Sequence, residues 1–206
     1  MKVLMLNGSP HEKGCVYTAL CEVATQLEKE GIEYEIMHMG TKPVQGCLSC
    51  GSCFKTGKCF YAEDKVNECA EKLRAADAFI VGSPVYYAAP NGALCAFLDR
   101  LFYSSSKSFA GKPAAAVVNC RRGGASAAFE RLNKYFTIAH MPVIPSSYWN
   151  STHGRTPEQV RRDLEGLQVM RDLARNAARM LKGLCSSPLP QYEKKIYTDF
   201  IPRIND

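Results

Sequence analysis

A chain of 206 residues is long enough to bury a substantial core as one domain, and no stretch of it has the composition of a linker between two. The net charge of +6 is spread along the sequence without a block of like charges or an arginine-rich arm, which argues against a nucleic-acid partner and only mildly favours anionic ligands. No apolar run approaches the length of a membrane span and no signal-peptide pattern opens the chain, so a cytoplasmic protein with no membrane partner is expected.

The first element, Val3-Leu4-Met5-Leu6, is an apolar run suited to a strand buried on both faces of a parallel sheet. Asn7-Gly8-Ser9-Pro10 breaks it. From Cys15 onward, Leu20, Val23, Ala24 and Leu27 fall on one helical face, which puts the loop from Ser9 to Gly14 at a helix N-terminus. Free N–H groups and the positive end of the helix dipole favour a phosphate there, and Ser9, Tyr17 and Thr18 add hydroxyl groups. Neither a Gly-Lys-Ser/Thr ending nor a Gly-x-Gly-x-x-Gly fingerprint is present, so a lone phosphate fits better than a nucleotide pyrophosphate.

Gly31 ends this helix and residues 34–39 alternate as a second strand. From Gly40 to Ala62 there is no periodicity, and loops of that length are usually functional or held by something other than packing. Glu63-Asp64 opens a helix with Val66, Ala70 and Leu73 inward, and Ala78 to Val81 forms a third strand that ends in a Gly82-Ser83-Pro84 turn. A helix carrying Leu94, Phe97, Leu98 and Leu101 leads to a fourth strand, Ala114 to Val118, which ends at Asn119-Cys120-Arg121-Arg122-Gly123-Gly124. After a helix with Phe129, Leu132 and Phe136, a fifth strand is expected over Met141–Ile144. Thr156-Pro157-Glu158-Gln159 is a capping box that launches a long final helix to about Leu184, followed by an irregular tail from 185 to 206.

Five strands alternating with five helices predict an α/β doubly wound parallel sheet with helices on both faces, its ligand beyond the carboxyl ends of the strands at the switch point. In the flavodoxin-like order 2-1-3-4-5 that point lies between the first and third strands, where FMN would sit. Ten cysteines suit a reducing compartment, and four of them, Cys47-x2-Cys50-x2-Cys53-x5-Cys59, fall in the unpatterned loop with spacing unlike a secreted disulfide framework. Two successive x2 gaps look more like ferredoxin spacing than like the separated Cys pairs of structural zinc; zinc or unfilled thiols remain as alternatives. Cys15, Cys21, Cys69, Cys95, Cys120 and Cys185 fit small core or loop positions.

Taken together, Gly8-Ser9-Pro10, Gly82-Ser83-Pro84-Val85-Tyr86-Tyr87 and Arg121-Arg122-Gly123-Gly124 resemble the NADPH-dependent FMN reductase family, and the cysteine run resembles its iron-sulfur flavoprotein branch. The resemblance implies FMN and a [4Fe-4S] cluster, with the cluster held by Cys47, Cys50, Cys53 and Cys59. By similarity, Ser9, Cys15, Val16, Tyr17 and Thr18 hold the FMN phosphate. Pro84, Val85, Tyr86 and Tyr87 run along the ribityl chain and ring, and Asn119, Arg121, Arg122, Gly123 and Gly124 border the ring. His11 and Val16 stand where similar proteins often carry Arg and Asn or Thr. The implied activity is electron transfer from NAD(P)H or a reduced carrier through FMN to a small-molecule or protein acceptor. A cluster-free flavin or quinone reductase, a flavodoxin-type carrier and a metal-stapled binding module are the rival readings. Tyr148 and Trp149 suggest an interface, consistent with a homodimer or a dimer of dimers, and His153 has no assigned chemistry.

Overall fold

The structure, a computed structural model, describes residues 1–184; the tail expected from 185 to 206 lies outside the described residues. In chain order the elements are β1 (Lys2–Asn7), α1 (Cys15–Lys29), β2 (Glu33–His38), α2 (Ser52–Thr56), α3 (Val66–Ala75), β3 (Ala78–Tyr86), β4 (Ala89–Pro90), α4 (Gly92–Ser105), β5 (Ala114–Cys120), α5 (Ala125–Ile138), β6 (Ser151–His153), α6 (Pro157–Arg162) and α7 (Leu164–Leu184). The sheet order is β2-β1-β3-β5-β6, all parallel, with the two-residue β4 folding back antiparallel on β3. With β4 set aside, this is the expected flavodoxin-like order.

Because neighbouring side chains point to opposite faces of a strand, the apolar runs serve two cores at once. Leu4, Leu6, Phe79, Val81 and Val118 pack under α3, α4 and α5, where Phe97, Phe102 and Phe136 fill the layer. Val3, Met5, Ile80 and Val117 face α1 and α7, meeting Leu20, Val23, Leu27, Leu173 and Ala177. α6 starts as its capping box dictates: Thr156 accepts from Gln159 N at 3.3 Å, Pro157 follows at the first helical position, and Gln159 Oε1 accepts from Arg155 N at 2.8 Å.

Four expectations need correction. The fifth strand of the sheet is Ser151–His153, not Met141–Ile144, which makes only a single bridge between Val143 and Ala114. Pro142 lacks the N–H that a regular ladder would need there, while Met141 and Ile144 are buried as core plugs. The final helix is two helices, parted at Asp163, whose carboxylate accepts from Gly166 N at 3.0 Å and His153 N at 2.6 Å. Gly82-Ser83-Pro84 is not a turn: β3 runs through it to Tyr86 and turns at Tyr87-Ala88. The cysteine loop contains one short helix, α2.

Glycine at position 82 is required by close approach. Gly8 N donates to Gly82 O at 2.8 Å, and a Cβ at Gly82 would stand 2.6 Å from Val16 Cγ1 and 3.1 Å from Leu20 Cδ1. Gly82→Ala should therefore destabilise the fold by about 1–3 kcal/mol through overpacking, seen as a lower urea midpoint at unchanged m. An unchanged midpoint would mean that α1 lifts from the sheet at no cost.

Candidate functional site

A cleft of about 240 Å³ opens beyond the carboxyl ends of β1, β3 and β5. From the first loop it takes Ser9, His11, Cys15 and Val16; from β3, Pro84, Val85 and Tyr86; from the end of β5, Asn119, Cys120 and Arg121. Gly154 and Arg155 complete it. No side chain caps the N-terminus of α1 and its first turn holds no acidic residue, so the free N–H groups of that turn are available to an anion. The loop ahead of it is held by side chains. Asn7 Oδ1 accepts from Ser9 N at 3.1 Å, Asn7 Nδ2 donates to Glu12 O at 2.9 Å, Ser9 Oγ accepts from His11 N at 3.1 Å, and the His38 ring is bonded to Ser9 O at 2.8 Å. Burial pushes the Cys15 thiol pKa up, which keeps a negative charge away from an anion site.

Other expected residues lie elsewhere. Thr18 Oγ1 donates to Gly14 O at 3.1 Å, so its proton is already used within the helix. Tyr17 lines a separate hollow with Glu12, Glu35 and Lys72, and its phenol pKa is raised, first by a hydrogen bond with Cys21. Tyr87 projects fully into solvent, and Arg122 and Gly123 are exposed outside the cleft lining. Tyr87 and Ala88 have φ of 51° and 58°, the two positive values a two-residue hairpin turn requires, here without glycine. Each costs about 1–2 kcal/mol as a left-handed L-residue. Gly124, at φ 89°, braces this turn: a Cβ there would meet Ala88 Cα at 2.8 Å. Tyr148 and Trp149 are exposed with ring centroids 4.9 Å apart, and His153 is exposed beside Asp163.

A second cavity, of about 40 Å³, is lined by Cys47, Cys50, Cys53 and Cys59 together with Tyr61, Arg100 and Tyr103. None of the four cysteines is in a disulfide. The Cys50 pKa is lowered, chiefly by the Ser52 backbone N–H, whereas burial pushes Cys53 up and the neighbouring Cys50, Cys59 and Cys47 add to that rise. Asn67 pins Cys59 by two bonds, Asn67 Oδ1 accepting from Cys59 N at 2.9 Å and Nδ2 donating to Cys59 O at 3.0 Å. Among the described residues, no group of three or more His, Cys, Asp or Glu side chains is placed to hold a metal ion. The four sulfurs line a shared cavity, a donor set of thiols alone that fits a multinuclear cluster better than one zinc.

Sequence reasoning missed Gly154 and Arg155, since they reach the cleft only because β6 lies beside β5. It also missed Asn67 and Arg100, whose polar side chains on helices carry no local signal.

The fold defined by this sheet and cleft is that of flavin-binding α/β proteins. RosB with bound 8-demethyl-8-formylriboflavin-5'-phosphate superposes with a TM-score of 0.75 at 16% identity, covering 99% of this chain and 94% of that one. The NADPH-dependent FMN reductase model matches residues 1–156, and the chain belongs to that family. An iron-sulfur flavoprotein of Methanocaldococcus jannaschii is 30% identical over 192 residues, covering 88% of this chain and 98% of its own length. A second from the same organism is 29% identical over 196 residues with the same coverage of both chains. No helix among the described residues is long and apolar enough to cross a membrane.

Asn119 secures the far wall of the cleft. It is buried, and its Nδ2 donates to both Thr152 O and Thr152 Oγ1 at 3.1 Å. Asn119→Ala should cost about 1–3 kcal/mol, because these buried acceptors lose their donor. Faster amide exchange confined to Ser151–His153 and its flanks would be the signature; uniform exchange would mean that β6 is held by its backbone alone.

Proposed function

We propose that this protein is an FMN- and [4Fe-4S]-dependent oxidoreductase that takes electrons from NAD(P)H or a reduced carrier and delivers them singly to an acceptor. The observation that carries the reading is the gathering of Cys47, Cys50, Cys53 and Cys59 on one cavity in a chain of the FMN reductase family. The names of the M. jannaschii relatives support it. FMN supplies two-electron hydride acceptance and the cluster one-electron transfer.

The chain's own part is binding and orientation. The free N–H groups at the start of α1 and the Ser9 hydroxyl would hold the FMN phosphate, and Pro84 to Tyr86 would flank the rest of the cofactor. Arg121 and Arg155 line the cleft with positive charge, which favours anionic ligands and charge developing on a reduced ring. Cys47, Cys50, Cys53 and Cys59 would ligate the cluster as thiolates.

Protein prepared without oxygen should carry FMN and about four iron atoms per chain. Cys50→Ala should lose the iron and keep the FMN, because the cleft and the cysteine cavity share no lining residue. Reduction of a one-electron protein acceptor should then fall at least tenfold while two-electron quinone reduction persists. Iron-free wild-type protein with full quinone activity would instead make it a cluster-free reductase.

The arginine pair divides, since only Arg121 lines the cleft. Arg121→Gln should lower the FMN reduction potential, and Arg122→Gln should leave it unchanged. Equal effects of the two variants in a spectroelectrochemical titration would refute the assignment.

A further inference from the structure

Arg100, on α4, is a buried cation: its side chain is 1% exposed, and that of its partner Asp64 is 7% exposed. Burial of a guanidinium is tolerated only where the charge is paired and its donors are met. All five of its N–H groups have partners. Nε donates to Cys59 Sγ at 3.2 Å. One terminal nitrogen donates to Gln45 O at 3.3 Å and to Asp64 Oδ2, and the other to Tyr61 O at 2.7 Å and Asp64 Oδ1 at 3.2 Å. The Tyr61 ring lies against it, 4.9 Å from centroid to guanidinium carbon.

Two features follow from this bonding. Gln45, Cys59, Tyr61 and Asp64 come from both sides of the cysteine run, so a single side chain closes the whole loop onto α4. Asp64 balances the charge, which leaves the Nε–H as a directional donor aimed at sulfur. A thiol sulfur is a weak acceptor and gains little from a buried N–H. A metal-bound thiolate is a charged acceptor, and hydrogen bonds to cluster sulfurs are among the factors that set reduction potential.

On the reading that the four cysteines hold a cluster, we infer that Arg100 is its positioning and potential-setting residue. The Nε–H bond to Cys59 Sγ stabilises the negative charge that this sulfur shares when one electron is added, and the other four N–H groups keep the bond aligned. No proton moves, because the guanidinium stays protonated throughout.

Arg100→Lys tests this. Lysine keeps a cation opposite Asp64 but has no fork to reach sulfur and carboxylate together. In anaerobically prepared holoprotein the variant should retain its iron and FMN. An EPR-monitored titration should show its one-electron cluster equilibrium displaced about tenfold toward the oxidised form, which is about 59 mV, with the FMN potential unmoved. An unchanged cluster potential in the loaded variant would overturn the inference while leaving the proposed function intact. If the variant does not take up iron, wild-type protein labelled with [15N]arginine decides the matter: pulsed EPR of the reduced cluster should detect one arginine nitrogen, and none would overturn the inference. Wild-type protein lacking both iron and acid-labile sulfide would overturn the proposed function itself, and the inference with it.

Discussion

At the centre of the sheet, β1 and β3 approach each other through two glycines, and this contact sets the geometry of everything above it. Gly8 N donates to Gly82 O at 2.8 Å, and the absent side chains leave room for Leu94 over Gly8 and Val16 against Gly82. α1 and α4 therefore seat directly on the strands. Asn91 locks the arrangement: its Nδ2 donates to Gly8 O at 2.9 Å, its backbone N donates to Ser83 Oγ at 3.1 Å, and its Oδ1 caps α4 at Ala93 N. The N-terminus of α1 and the end of β3 thus face one another across the cleft as a consequence of packing.

Around this centre, polar side chains do the work that regular structure does elsewhere. Asn7 shapes the first loop, Asn119 ties β5 to β6, and Asn67 with Arg100 fastens the cysteine run. Arg74 adds a bond from α3 to Gly57 O at 2.9 Å. These bonds are valuable mainly because breaking one strands a buried group, which costs more than the bond contributes net. The exposed Lys58–Glu71 ion pair nearby adds little by comparison.

The two cavities have different walls but one helix in common. Asn91 at the start of α4 belongs to the bonding beneath the cleft, while Arg100 and Tyr103 further along form the wall of the cysteine cavity. Twelve residues separate Asn91 from Tyr103, roughly 18 Å of helix at 1.5 Å per residue. α4 is thus a rigid spacer. The glycyl brace at Gly124 plays the matching role on the other side, holding the left-handed Tyr87-Ala88 turn in place.

Periodicity alone determined the buried strands and the helix faces, because apolar residues at spacing 2 or 3.6 have one low-energy way to meet a core. The capping box at Thr156 and the spacing of the four cysteines were equally legible, since both are local chemistry. Only the tertiary structure decided which segment completes the sheet. Ser151-Thr152-His153 is polar and short; its place comes from Asn119, from Val118 N donating to Asn150 O, and from Gly154 N donating to Cys120 O. Met141–Ile144 has the apolar content of a strand, but Pro142 denies it the ladder. The break at Asp163 likewise depends on a carboxylate meeting the His153 N–H, ten residues away in sequence. Arg155 at the cleft and Arg100 at the cysteines follow the same pattern, for a charged residue's burial and partners are set by contacts between distant segments, which no local pattern encodes.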